Sequence, residues 1–240
     1  MSIISIENLT KCYKTKKALS DVSLQIDEGE LFGLLGVNGA GKTTLIKILC
    51  LLSKKTSGSV VINGLDIERD AEKIKEIIAV SPQETAIANN LTVKENLEFF
   101  ANIYSKNNSE IINELINDFD LSSVLSQKAK TLSGGYKRRL SIAVAIISKP
   151  KILFLDEPTL GLDVFSRREL WQIIKKLQKS TTIILTSHYL EEIENLCQRV
   201  AVLSKGNLVK VGRIQEIKEA MCANTFEDAF IKLLSEGQNE

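Results

Sequence analysis

Long apolar runs are missing from this 240-residue sequence: the longest unbroken one covers residues 142–147, whereas a helix that crosses a bilayer needs about 20 apolar residues. No direct membrane span is therefore expected. The start, Met1-Ser2-Ile3-Ile4-Ser5-Ile6-Glu7, also lacks the basic, long-apolar and small-residue succession of a secretion signal, which makes the cytoplasm the expected compartment and reduced thiols the expected state. Excess charge of either sign is absent too. With 31 Lys and Arg against 30 Asp and Glu the formal net charge is +1, which argues against nucleic acid as an electrostatically captured partner. The four cysteines, Cys12, Cys50, Cys197 and Cys222, form no C-x-x-C pair; this excludes the spacing of a zinc site or a disulfide framework, and all four read as small apolar fillers. Only three prolines, Pro82, Pro150 and Pro158, occur. There is no Pro-rich linker, no low-complexity segment and no internal repeat, so two copies of one module within the chain are excluded.

What is present is an ordinary globular composition, 44% hydrophobic and 25% charged, in a length suited to one large α/β domain or a core carrying a smaller insertion. Short apolar runs alternate with helix-period segments, as strands and crossover helices of a largely parallel sheet do. Strands are expected at residues 31–35, 77–80, 152–155 and 183–186, with further ones at 60–62 and 200–203. The last enters a hairpin at Lys205-Gly206-Asn207 and leaves through 208–211. Helices are expected at 42–52, 93–104, 109–118, 135–147, 166–178 and 189–197. Residues 84–130 hold no convincing strand, only two helical patterns separated by the turn residues Lys106-Asn107-Asn108, and read as an all-helical insertion into the α/β core.

Three motifs carry chemistry. Gly36-Val37-Asn38-Gly39-Ala40-Gly41-Lys42-Thr43 fits G-x-x-x-x-G-K-[ST] between an apolar strand and a helix, the context a phosphate-binding loop requires. Its glycines permit dihedrals that turn successive N–H groups onto phosphates, and the following helix adds its positive end. Lys42 is assigned to the β- and γ-phosphates, Thr43 to Mg²⁺ and Thr44 to the α-phosphate. Second, the apolar strand ending at Asp156-Glu157 has the form that holds Mg²⁺ and polarises water: Asp156 at the metal, directly or through its waters, and Glu157 orienting the attacking water. Two acids after a strand also suit a helix cap, but their pairing with the loop at Lys42 favours the first reading. Third, Leu132-Ser133-Gly134-Gly135-Tyr136 offers a hydroxyl and unshielded N–H groups at a helix start, a second phosphate-binding end. One nucleotide does not easily occupy both ends of one chain, unless two copies pair head to tail.

On these residues the chain resembles the nucleotide-binding subunit of an ATP-binding-cassette (ABC) transporter, over nearly its whole length. The family pattern is also matched by Tyr13, the aromatic that stacks on adenine; Gln83 in Ser81-Pro82-Gln83; Gly161-Leu162-Asp163; and His188, the chain's only histidine. The resemblance implies that Gln83 contacts Mg²⁺ and couples to a membrane partner, that Asp163 bridges two protomers, and that His188 meets the γ-phosphate. It implies a P-loop NTPase (RecA-like) α/β core with a largely parallel sheet and an N-terminal antiparallel β subdomain, at residues 1–83 and 146–215. An inserted all-helical subdomain carrying Ser133 to Tyr136 would cover 84–145, and a short helical tail 216–240. One departure is Tyr136, where much of the family has Gln. The cations Lys137-Arg138-Arg139 after it read as a solvated helix start.

The segments around Ser187-His188-Tyr189-Leu190-Glu191-Glu192 and Gly134-Gly135-Tyr136-Lys137 resemble the daunorubicin-resistance-like branch, whose separate membrane subunits usually export substrates. The residues after Gly212 are too few for the regulatory β-domain typical of sugar-importer ATPases, which disfavours import. The expected protein is an ATP hydrolase requiring ATP and Mg²⁺, with Glu157, His188 and Lys42 as catalytic residues. It would work as a homodimer, or a heterodimer with a second ATPase subunit, on integral membrane permease subunits at the cytoplasmic face. The alternative is a soluble ABC ATPase acting on ribosomes or DNA.

Overall fold

The computed structural model describes residues 1–104 and 108–236. The chain opens with two long strands, β1 (Ser2–Tyr13) and β2 (Lys16–Asp27), then β3 (Leu31–Leu35) and α1 (Lys42–Leu49). Next come β4 (Ser57–Ile62), β5 (Leu65–Asp66), α2 (Ala71–Ile77) and β6 (Ile78–Ser81). The helices α3 (Val93–Tyr104), α4 (Asn108–Asp118) and α5 (Gly134–Ala145) precede β7 (Ile152–Asp156). The remainder is α6 (Val164–Leu177), β8 (Thr182–Ser187), α7 (Leu190–Leu196), the hairpin β9 (Arg199–Ser204) and β10 (Asn207–Arg213), α8 (Ile214–Ala220) and α9 (Phe226–Glu236).

Two sheets form. One is antiparallel, in the order β2-β1-β4-β5; the other has the order β10-β9-β3-β8-β7-β6 and is parallel except for the β9–β10 hairpin. The parallel strands read as unbroken apolar runs because both their faces are covered. Leu31, Leu35, Leu153, Leu155, Ile183 and Leu185 belong to the core under α5 to α9, while Phe32, Leu34, Ile152, Phe154 and Ile184 belong to the core shared with α1 and the antiparallel sheet. Because β3, β6, β7 and β8 run parallel, the segments that leave their C-terminal ends, at Gly36, Gln83, Glu157 and His188, all emerge on one edge. That edge is where open α/β sheets build ligand sites.

Between β6 and β7 the described residues form only helices and turns, apart from one isolated antiparallel bridge, Thr92 with Lys128. Asn108 opens α4, whereas the expected turn residues Lys106 and Asn107 lie outside the described residues, as do the last four residues of the expected tail. The other differences from the sequence reading have local causes. The first helix ends at Leu49, not at 52, because Leu51 takes a left-handed φ of +62° and the N–H groups of Leu52 and Ser53 both turn back to the Lys47 carbonyl. Helix α6 starts two residues early because Asp163 caps it, accepting from the Phe165 and Ser166 N–H groups at 3.0 Å. The cysteines divide: Cys50 and Cys197 are buried, with burial pushing both thiols well up, whereas Cys12 is half-buried and Cys222 is exposed and fills no core.

Candidate functional site

The loop between β3 and α1 is shaped by three glycines. Gly39 and Gly41 hold positive φ of +82° and +109°, and a Cβ on Gly36 would lie 2.4 Å from the Leu203 carbonyl oxygen. No side chain caps α1 at Gly41, so the first N–H groups of the helix are left for a ligand. The β9–β10 turn buttresses the loop from behind: Gly206 donates to the Ala40 carbonyl at 3.0 Å and accepts from the Ser20 N–H at 2.8 Å. One strand connection thus joins the phosphate loop to the antiparallel sheet.

In front of the loop lies a cavity of about 810 Å³, lined by Asn38, Gly39, Ala40, Gly41, Lys42, Thr43 and Thr44 together with Tyr13, Gln83, Glu157 and His188. Residues widely separated in sequence therefore converge on one space. The Lys42 ammonium donates to the Gly36 carbonyl at 2.6 Å and sits 3.8 Å from Glu157 Oε1. Burial lowers its pKa, and the nearby carboxylates of Glu157 and Asp156 oppose that shift. Glu157 is only 8% exposed and takes φ +50°, a left-handed conformation a non-glycine residue seldom adopts. That turn aims its carboxylate inward, where Oε2 meets His188 Nδ1 at 2.6 Å. With Nδ1 engaged, Nε2 is the imidazole's remaining hydrogen-bonding atom.

Asp156 lies one residue deeper and accepts from the Thr186 hydroxyl at 2.6 Å; the same Thr186 oxygen accepts from the Glu157 N–H at 3.0 Å. Thr186 is Asp156's direct partner in the β7–β8 register and thereby fixes both acids, a role without any local sequence motif. The residues expected to hold Mg²⁺, Thr43, Gln83 and Asp156, would offer it hard oxygens, the chemistry that ion takes. No group of three or more His, Cys, Asp or Glu able to hold a metal occurs among the described residues. Bound there, Mg²⁺ would neutralise charge on the β- and γ-phosphates.

Tyr13 stands at the rim, 44% exposed, its hydroxyl 3.3 Å from Ser53 Oγ. Lys16, Lys17, Ala18, Leu160 and Lys205 also line the cavity. The three lysines, two at the start of β2 and one in the β9–β10 turn, escaped the sequence reading because lysine near a turn is indistinguishable from ordinary surface charge.

Ser133, Gly134, Gly135 and Tyr136 are not among the residues lining this cavity. Ser133 caps α5, accepting from the Tyr136 N–H at 3.4 Å, which leaves its hydroxyl proton free to donate. The Tyr136 ring turns away, its hydroxyl 3.3 Å from Ser123 Oγ and its face under Arg139. Asp163 likewise stays outside the cavity, held as the α6 cap; the Ser166 hydroxyl and those N–H groups keep its carboxyl below the usual carboxylate range. The expected solvated run is corrected here. Arg138 and Arg139 are 4% and 6% exposed, Arg138 bound to backbone carbonyls and Arg139 paired with Asp120 and Glu169.

Residues 19–160 match the family model described as ABC transporter. The chain belongs to the ABC transporter family. It is 36% identical to the linearmycin resistance ATP-binding protein LnrL of Bacillus subtilis, over 99% of this chain and 76% of that protein. It is 35% identical to the probable multidrug ABC transporter ATP-binding protein YbhF of Escherichia coli, over all of this chain but 43% of that one. Among solved structures, an ATP-binding subunit of an ABC transporter superposes with a TM-score of 0.85 at 27% identity, covering 97% of this chain and 99% of that one. A second, the dimeric post-hydrolysis state of the ATP-binding cassette MJ0796 bound to ADP and Pi, gives 0.78 at 26% identity over 88% and 98%. As an ABC cassette this chain is an ATP hydrolase that uses ATP with Mg²⁺, and no helix among its described residues is long and apolar enough to cross a membrane.

Proposed function

We propose that this chain is the ATP-hydrolysing subunit of an exporter whose membrane-spanning parts are separate proteins. Two cassettes, this chain twice or with a sister subunit, would close head to tail around two nucleotides, each held by the Gly36 to Thr44 loop of one and the Ser133 to Tyr136 helix start of the other. The observation that carries this reading is the division of phosphate-binding groups: Lys42, Thr43, Glu157 and His188 share one cavity, while the capped start of α5 lies outside it, with Ser133 and Gly134 exposed. Exposed Val164 and Phe165 beside Asp163 add apolar surface for a second cassette.

For the chemistry, Tyr13 would stack on the base and the loop would hold the phosphates. Glu157 would orient water for in-line attack, and Lys42 and His188 would stabilise charge at the γ-phosphate. A membrane partner is supported by a groove of about 320 Å³ between the insertion and β6, lined by Ile78, Val80, Ala86, Phe100, Tyr104 and Val144. Phe99, Ile103 and Tyr104 add exposed apolar side chains on α3, and the loop from Gln83 to Ala86 runs from the nucleotide cavity to this groove. The drug and antibiotic names of LnrL and YbhF support export, at the cytoplasmic face of the membrane.

The test is purification of tagged wild type and Glu157→Gln from detergent-solubilised membranes with ATP present, with identification of co-purifying proteins. We expect a multi-span membrane protein with both. We also expect Glu157→Gln to bind ATP with turnover reduced about 10²-fold or more, and to persist as a dimer. Wild-type turnover in that variant would overturn the role of Glu157, and ribosomal or DNA-repair proteins in place of a membrane protein would overturn the transport reading.

A further inference from the structure

Arg138 carries a charge that the reading above leaves without a use. Its guanidinium is buried on α5, one turn after the Ser133 cap, and makes no ion pair among the described residues. It instead donates to three backbone carbonyls from two separate segments: Pro82 at 2.7 Å, Gln83 at 2.7 Å and Glu157 at 3.3 Å. A buried charge without a direct counter-ion is costly. The fork geometry suits a different purpose, because a planar guanidinium fixes the directions of several acceptors at once, which an ammonium does not.

The third acceptor matters most. The Glu157 peptide is strained, at φ +50°, and such a conformation persists only where neighbours over-determine it. Its N–H is held by Thr186 and its carbonyl by Arg138. The same guanidinium grips the Gln83 loop, while its own helix begins at Ser133. We propose that Arg138 is a positioning residue that locks the Glu157 backbone to the Gln83 loop and to α5, so that the aim of the Glu157 carboxylate depends on where the helical insertion sits. The helical insertion and the water-orienting acid are then linked by one side chain. This proposal rests on the assigned role of Glu157.

The test compares Arg138→Lys, Arg138→Met and Glu157→Gln, each alone, together with the Arg138→Lys/Glu157→Gln double variant. The readouts are ATPase kcat and KM, binding of a fluorescent ATP analogue, and Tm. Arg138→Lys should keep the Tm, KM and analogue affinity within about threefold of wild type and lose about 10- to 100-fold in kcat, the range expected when a reacting group is misplaced by an ångström. In the Glu157→Gln background the same change should cost nothing more, because the effect acts through that carboxylate. Arg138→Met should lose at least as much kcat; if it unfolds, the decision rests on Arg138→Lys. A normal kcat in Arg138→Lys beside an impaired Glu157→Gln overturns the proposal alone. So does a loss that falls equally on Tm, analogue binding and kcat, or one that adds in full to Glu157→Gln. A normal rate in Glu157→Gln overturns the underlying reading, and the proposal with it.

Discussion

Lys42 donates to the Gly36 carbonyl of its own loop and lies 3.8 Å from Glu157, so the residue assigned to the phosphates occupies itself with local acceptors until a nucleotide takes their place. A γ-phosphate bound there, as proposed, would replace a carbonyl and a carboxylate 3.8 Å away by a doubly charged partner and would supply the charge compensation that burial of the ammonium demands. Lys42→Met should therefore leave the nucleotide-free protein close to wild type in Tm while shrinking the Tm rise that ATP with Mg²⁺ produces, measured by thermal shift across an ATP titration. Gly36→Ala acts at the same place by a different route. The new Cβ meets the Leu203 carbonyl oxygen at 2.4 Å and the Ala40 side chain at 2.8 Å, so either the loop or the β9–β10 turn must move, and analogue binding should weaken with it. The individual residues of this site were legible where chemistry demands a contiguous pattern, as in the phosphate loop. They were illegible where burial is decided from afar. Nothing in Lys137-Arg138-Arg139 distinguishes a solvated helix start from a buried one; two of the carbonyls that receive Arg138 lie more than fifty residues upstream and the third is on Glu157, downstream beyond β7.

Among the elements, α6 and α7 are joined by a buried polar contact, Trp171 Nε1 donating to Glu192 Oε1 at 3.2 Å. Burial raises the Glu192 pKa; the hydrogen bond from Trp171 opposes that shift, and the Glu157 charge adds to it. The folded protein then holds a proton that the unfolded chain has released above its ordinary value of 4.5. Stability accordingly falls as pH rises from that value through the folded pKa. Glu192→Gln retains the acceptor for Trp171 and has nothing to ionise. Its Tm relative to wild type should climb as pH rises above 4.5, and a gap that stays constant with pH would refute the account. At this scale the sequence was readable where an element's two faces agree: β3, β7 and β8 each carry a central apolar run because they are covered on both sides. Strand β1 gives no clean alternation because Asn8 takes a left-handed φ and its ladder with β2 shifts register, which moves side chains from one face to the other, whereas β2 alternates buried and exposed residues from Val22 to Asp27, a period-2 signal present in the sequence but not used.

In the whole molecule, the parallel sheet separates two cores and carries the nucleotide cavity on one edge, while the start of α5 stands outside that cavity. If the site is completed by a second copy, each protomer contributes a different half. Lys42→Ala and Ser133→Arg should then each be nearly inactive alone. Mixed, they should recover part of the wild-type rate, because one of the two sites in the mixed pair inherits both intact halves. Failure to recover any rate, with both variants folded and associating, would count against a shared site.

The β9–β10 turn, hydrogen-bonded to Ala40 of the phosphate loop on one side and Ser20 of the antiparallel sheet on the other, gives this architecture something like a caliper with a riveted hinge. Tyr13 is carried on one jaw and the glycine loop on the other. If Tyr13 meets the base and the loop the phosphates, as proposed, the span from base to terminal phosphate is set by that turn. A diphosphate and a triphosphate would seat in it identically at the base end and differ only at the tip, where Lys42, Glu157 and His188 are gathered. Such a gauge would count phosphates where the Gln83 loop leaves the cavity toward the insertion.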